Sequence, residues 1–393
     1  MLLKLEPKNI MSPKLPSLLT SLLKIEENIK IPHFKNSDIE YYLYEKYQSN
    51  AGNWKRKLYY TVKPFMPRFL QLALRKKYVK IQSKNTFPAW PIEQILVDII
   101  DDFLKAVIEH NGKNHIHRIA PWPQKKKFAL VITHDVELDT GLQHAPRIAE
   151  IEKEFGFISS WNIVPERYPI DWKIIDRLRD FGCEIGVHGF SHDGKLFQSK
   201  KIFMKRALKI NDYAKQWGAV GFRSESTLRN IEWMPALNME YDSSFPDTDP
   251  YEPQPGGCCS IWPYFIQQLI ELPLTLPQDH TLFEILNQTD ISLWEQKVNW
   301  IEEHGGLALI NVHPDYMNTP ERLKLYESFL VFMSQKKHMW QAPARETARW
   351  WRNRNDCSLI NRDDRLNITG PSSNKMSIIK TKIYNNIIEN QLI

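Results

Sequence analysis

The feature that most constrains this chain is an alternation of short apolar segments with helix-period segments that begins at Phe128. Phe128-Ala-Leu-Val-Ile132 is continuous and apolar, the pattern of a strand buried on both faces of a parallel sheet. The pattern predicts a helix over 145–155, a strand over 158–164, a helix over 172–181 and a strand over 184–187. It continues with a helix over 202–217, strands near 220–222 and 307–310, and a helix over 321–334. Strands alternating with helices of this length form βα repeats, so the expected fold class is α/β with a parallel sheet or barrel.

Charge divides the 393 residues into three parts. Residues 1–127 carry 23 basic and 11 acidic side chains, 128–344 carry 20 and 30, and 345–393 carry 9 and 5. The net charge of +6 therefore averages an acidic block and two basic flanks, and a uniformly basic nucleic-acid binder is not expected. The divisions expected are a basic, mainly helical N-terminal extension (1–127), a βα unit (128–345), and a C-terminal helix and tail (346–393). No apolar run approaches the roughly 18 residues of a membrane span. Cys183, Cys258, Cys259 and Cys357 have no C-x-x-C spacing, which favours a reducing compartment. The first residues lack a secretory pattern, so a cytoplasmic location is expected. Residues 53–80 hold nine basic residues and no acidic one, with Trp54, Tyr59, Tyr60, Phe65 and Phe69 interleaved. That stretch reads as a solvated basic helix face or as an element that meets an anionic membrane surface.

Chemistry in βα folds gathers where strands end. The first strand ends in Thr133-His134-Asp135-Val136-Glu137, and the strand at 184–187 ends in His188-Gly-Phe-Ser-His192. Two imidazoles at i and i+4 can converge on one metal. Arg223 ends the segment Gly221-Phe-Arg223, and His313-Pro-Asp315 follows the strand at 307–310. Taken singly, these could be an N-cap, an incidental histidine pair, a salt bridge and a satisfied imidazole. Four strand ends delivering Asp, Glu, His and Arg to one mouth point to an active site.

The order Thr-His-Asp-x-Glu, His-x-x-x-His, Phe-Arg-Ser and Asn-Val-His-Pro resembles the polysaccharide deacetylases, carbohydrate esterase family 4. The resemblance spans about residues 128–340 and is most specific over Glu184–Asp193. It implies a distorted βα barrel of about seven strands. It also implies removal of N- or O-acetyl groups from a sugar or glycan precursor, with a divalent metal, zinc or cobalt, activating water. Carried over, His188, His192 and Glu137 are the metal ligands, Asp135 the general base, Arg223 the residue that holds the base, and His313 the general acid. A cyclic amide or ureide hydrolase of the same superfamily, or an impaired barrel that only binds glycan, remain the alternatives.

Two positions depart from the family pattern. Glu137 stands where the ligand is usually Asp, and Glu225 follows Arg223-Ser224 where a proline is usual, adding negative charge near the base–arginine pair. The family's acid-tuning aspartate has candidates in Asp242, Asp247 and Asp249 but no clear match. Residues 253–264 read as a substrate wall or as a packed structural loop. His280, in Gln278-Asp279-His280, reads as a helix cap, Trp350 and Trp351 as packing residues, and the tail 361–393 as strands or irregular chain.

Overall fold

The computed structural model describes residues 18–32, 36–48, 79, 81–84, 86–362 and 365–393. The basic stretch 53–80, apart from Val79, lies outside the described residues. The N-terminal part contributes α1 (Leu18–Leu23), α2 (Asn36–Leu43), α3 (Ile95–His110) and β1 (His115–Ile119). The central unit runs β2 (Phe128–Val136), α4 (Asp139–Glu154), β3 (Ser159–Ile163), α5 (Trp172–Asp180), β4 (Glu184–His188), α6 (Lys200–Trp217) and β5 (Gly221–Arg223). It continues with β6 (Tyr241–Asp242), β7 (Tyr264–Ile266), β8 (Leu269–Glu271), α7 (Ser292–His304), β9 (Leu307–Asn311), α8 (Pro320–Ser334), β10 (Met339–Gln341) and α9 (Ala344–Asn355). The C-terminal part adds β11 (Ser358–Arg362), β12 (Arg365–Thr369), β13 (Ile378–Tyr384) and β14 (Ile387–Leu392).

The central sheet has nine strands in the order β10-β2-β3-β4-β5-β6-β8-β7, with β9 also on β2. All neighbours are parallel except β7 and β8, which pair antiparallel. The expected distorted barrel of about seven parallel strands is met in part: the sheet is curled but open, with nine strands and one antiparallel pair. Regular pairing stops beyond β8 because irregular chain takes its place. Leu276 N–H donates to Leu309 O at 3.0 Å, and the Thr275 hydroxyl substitutes for a backbone group, donating to Leu307 O (2.6 Å) and accepting from Leu309 N–H (2.8 Å). All nine residues of β2 are buried, as its apolar run requires.

Helix α4 begins at Asp139, six residues before the sequence pattern announced it. Its N-cap residue, Leu138, offers no capping side chain. The free amides are met instead from the turn after β9: Asp315 accepts from Leu138 N–H (3.3 Å) and Gly141 N–H (3.0 Å). A cap delivered from that distance in sequence leaves no local signature.

The flanks are fastened to the sheet by buried polar contacts. β1 pairs with β13 and β13 with β14, both antiparallel, so the tail forms strands with the N-terminal part. Arg354 on α9 donates to the carbonyls of Ala120 (2.8 Å), Ile119 (2.9 Å) and Leu22 (3.0 Å). Trp350 and Trp351 are buried, in agreement with a packing role. Glu45 forms a buried bidentate pair with Arg229, and Tyr47 Oη donates to Gly257 O at 2.6 Å. The Thr248 hydroxyl reaches Ala89 O at 2.8 Å. Residues 245–252 and 256–264 are almost all buried, so this segment is largely a packed structural element. Among the described residues, no helix is long and apolar enough to cross a membrane.

Candidate metal centre

Asp135 and Glu137 leave the end of β2 two residues apart, and His188 ends β4. The chain then turns through Gly189 (φ +58°) and brings back His192, itself left-handed at φ +53°. The outcome is a cluster in which one ligand atom each of Glu137, His188 and His192 lies within 4.8 Å of the others. His188 Nδ1 is engaged by Arg223 O at 3.1 Å, which orients Nε2 away from that carbonyl. The Nε2 atoms of both His188 and His192 are buried and without a hydrogen-bond partner. His192 Nε2 stands 3.0 Å from Glu137 Oε1 yet lacks hydrogen-bond alignment. Two orphaned imidazole nitrogens beside a carboxylate are the donor set that a divalent cation takes. The residues present therefore fit such an ion.

Charge in the cluster is settled by burial and neighbours. Burial pushes His188 down to about 4, so its imidazole is neutral and able to ligate at pH 7. Glu137 is only half-buried; desolvation opposes its ionised form, but His192 outweighs that cost and holds its carboxyl well below the ordinary range. Asp315, whose carboxylate accepts from Glu137 N–H at 2.9 Å, fixes the backbone that carries this ligand.

Asp135 is held on both oxygens. Asn162, on β3, donates to Oδ1 at 2.9 Å, and Asn311, at the end of β9, donates to Oδ2 at 2.8 Å. Burial alone would raise its pKa, but His188, Arg223, His313 and the Asn162 amide bring it to about 2. A side chain on Gly186 would begin 2.4 Å from Asn162 Oδ1, so only glycine on β4 leaves room for that amide. Arg223 is fully buried. It donates to the hydroxyls of Thr133 (3.1 Å) and Ser243 (2.9 Å), and its Nη1 lies 3.9 Å from Asp135 Oδ2.

On the opposite side, His313 Nδ1 is 2.6 Å from Asp279 Oδ1, and its backbone N–H donates to Asp279 Oδ2 at 2.8 Å. Its Nε2 is 4.0 Å from Glu137 Oε1. Burial opposes the charged form, yet Asp279, Glu137 and Asp135 raise His313 to about 10. Gln278 accepts from Asn311 Nδ2 at 3.0 Å. Adjacent residues Gln278 and Asp279 thus serve Asp135, through Asn311, and His313 directly.

All six sequence-predicted residues fall in this one neighbourhood, and four supporting residues were not foreseen: Asn162, Asn311, Gln278 and Asp279. Asn311 lay in the quoted Asn-Val-His-Pro run, and Asp279 beside His280, so their chain positions were visible but their partners were not. The aspartates considered for tuning the acid have other partners: Asp242 accepts from the Ser244 hydroxyl (2.7 Å), Asp247 pairs with Lys297 (2.6 Å), and Asp249 accepts from Tyr251 N–H (2.8 Å). His280 does not cap the short helical segment His280–Ile285 that it begins. Asp279 does, accepting from His280 N–H at 2.7 Å, while the His280 ring lies against Tyr316 at 4.9 Å. Glu225 turns its carboxylate toward the His192 loop, where Gly194 N–H and Leu196 N–H donate to it.

No protein-family model matches the chain, and no curated protein matches it. Solved structures do. A protein assigned as a polysaccharide deacetylase from Mycobacterium smegmatis aligns at 19% identity over 59% of this chain and 92% of its own, with a TM-score of 0.49. A probable polysaccharide deacetylase from Pseudomonas aeruginosa PAO1 aligns at 14% over 59% and 93%, TM-score 0.47. Puue allantoinase aligns at 14% over 59% and 93%, TM-score 0.46. Several of the solved structures it resembles are polysaccharide deacetylases.

Proposed function

We propose that this protein is a metal-dependent hydrolase that removes acetyl groups from an N- or O-acetylated sugar or glycan precursor. The observation that carries the reading is the convergence of Glu137, His188 and His192 between an oriented carboxylate, Asp135, and a carboxylate-paired imidazole, His313. Glu137, His188 and His192 would hold the cation, zinc or cobalt by donor type, which supplies a Lewis acid that acidifies water and polarises an acyl carbonyl. Asp135, ionised at neutral pH, accepts the proton of the attacking water. Asn162 and Asn311 keep its oxygens aimed, and Arg223 stands behind it. His313, charged through Asp279, delivers a proton from Nε2 to the departing sugar amine or hydroxyl. The products are acetate and the deacetylated sugar.

The central unit, 128–345, is the proposed catalytic part, with 1–127 and 346–393 as flanks. The four cysteines are buried and unbridged, which supports a cytoplasmic site of action. The test is chelation followed by reloading with zinc or cobalt, with acetate release followed across N- and O-acetylated mono- and oligosaccharides. Metal-dependent release from one class is expected. Release from none, or turnover only of cyclic amides or ureides, would overturn the deacetylase reading.

A further inference from the structure

The loop that carries His192 has an unusual backbone and is held from two sides. Gly189, His192 and Gly194 all have positive φ, at +58°, +53° and +73°. For glycine this is free, but for a histidine it is strained and persists only where the surroundings enforce it. On the outer side, Asp193 takes both terminal nitrogens of Arg206 at 2.7 and 2.6 Å, and that guanidinium lies 5.3 Å from the Phe190 ring centroid.

The inner side belongs to Glu225, which is 1% exposed. Its Oε2 accepts from Gly194 N–H at 2.9 Å and its Oε1 from Leu196 N–H at 3.4 Å. Its own backbone nitrogen, Cβ and Cγ pack 3.5–3.7 Å from where a side chain on Gly189 would start. Glu225 therefore holds the loop by its carboxylate after His192 and fills the space beside Gly189 before it. A buried carboxylate whose two oxygens are met by backbone amides is expensive to desolvate, and its contribution lies in the geometry it imposes.

We propose that Glu225 is the positioning residue of the metal centre, clamping the 189–196 loop so that His192 Nε2 meets His188 and Glu137. The proposal rests on the reading of those three residues as a cation site. Partners that orient a ligating residue typically account for about 10–100-fold in metal affinity, and Glu225 acts one step further back, through the loop backbone.

The test uses the full-length protein, stripped by chelation and titrated with zinc in competition and with cobalt by visible absorption. Glu225→Ala is expected to bind zinc about 10–100-fold more weakly and to give an altered cobalt spectrum. Glu225→Gln is expected to fall between Ala and wild type, because its carbonyl can keep one of the two amide donors. A purely structural role would lower the melting temperature of both variants while leaving zinc affinity and the cobalt spectrum at wild-type values, and that result overturns the proposal. If Glu225→Ala does not fold, Glu225→Gln decides the matter alone. A wild-type chain that binds neither cation would overturn the metal reading itself, a failure distinct from variants that bind like wild type.

Discussion

The cation half of the site and its proton-transfer half differ in how far along the chain their parts are drawn. Glu137, His188 and His192 come from two strand ends, and two of the three are only four residues apart. Asp135 and His313 are 178 residues apart (313 minus 135) and owe their orientation to Asn162, Asn311, Gln278 and Asp279, carried by several different segments. In the first half a local turn returns His192 to His188, and the sheet adds Glu137 from the end of β2. The second relies on the curl of the sheet to bring distant amides and carboxylates together, so the two halves should fail separately when mutated.

The largest effect is expected at the cation half. His188→Ala or His192→Ala removes a ligand, and zinc affinity measured by competition titration should fall at least about 100-fold, beyond the roughly 10–100-fold typical of losing only a ligand's supporting partner. Acetyl release should vanish with it. Retained metal in either variant would break the assignment of these residues.

Asp279→Asn should leave metal content unchanged and act on the chemistry through His313, since an asparagine can still cap the turn at His280. With Asp279 present, His313 is raised to about 10 and stays protonated as pH climbs through neutrality. Without it, the value should fall toward the ordinary imidazole value of about 6.5. The alkaline fall in kcat/KM should therefore move to lower pH, with a loss of about 100-fold near pH 8.5 if the value reaches 6.5. The sign also applies to stability: a raised histidine stabilises the fold below its unfolded value near 6.5, and that contribution is lost as pH rises through about 10. A pH profile that does not shift would remove Asp279 from the proton-transfer half.

Asn162→Ala frees one Asp135 oxygen, and roughly a tenfold loss in kcat is expected at unchanged metal affinity, of the size of one hydrogen bond to a charged group. Asp135 should then titrate above about 2. Because its pKa is depressed in the fold, its contribution to stability is present above the unfolded value near 3.8 and is lost as pH falls toward 2. The smallest effect belongs outside both halves. Tyr47→Phe, which deletes the hydroxyl bonded to Gly257, should cost about 1 kcal/mol in denaturant unfolding and change neither metal content nor the pH profile. A change in the profile would couple the N-terminal extension to the site.

Much of the site was legible because each member ends a buried apolar run. Period-2 and continuous apolar patterns identify strands from neighbours alone, and polar residues at their ends stand out against them. The partners were not legible because an asparagine reads alike whether it faces water or a carboxylate. Asp279 illustrates the limit. It looked like one member of a polar turn, and only the fold puts its carboxylate 2.6 Å from His313. Glu225 is the reverse case: its charge seemed set against the Arg223–Asp135 pair, and the fold directs its carboxylate to the backbone of the metal-site loop.

Short-range rules thus determined the α/β class, the strand ends and the six residues gathered there, because hydrophobic period and the i, i+4 histidine spacing are properties of consecutive residues. Tertiary structure alone decided that the sheet stays open and mixed, that Asp315 caps α4, and that Asn162, Asn311 and Asp279 aim the proton-transfer groups. Those contacts join residues 27 to 177 positions apart. Such pairs leave no mark in any local window, since their energy exists only once β2, β3 and β9 lie side by side.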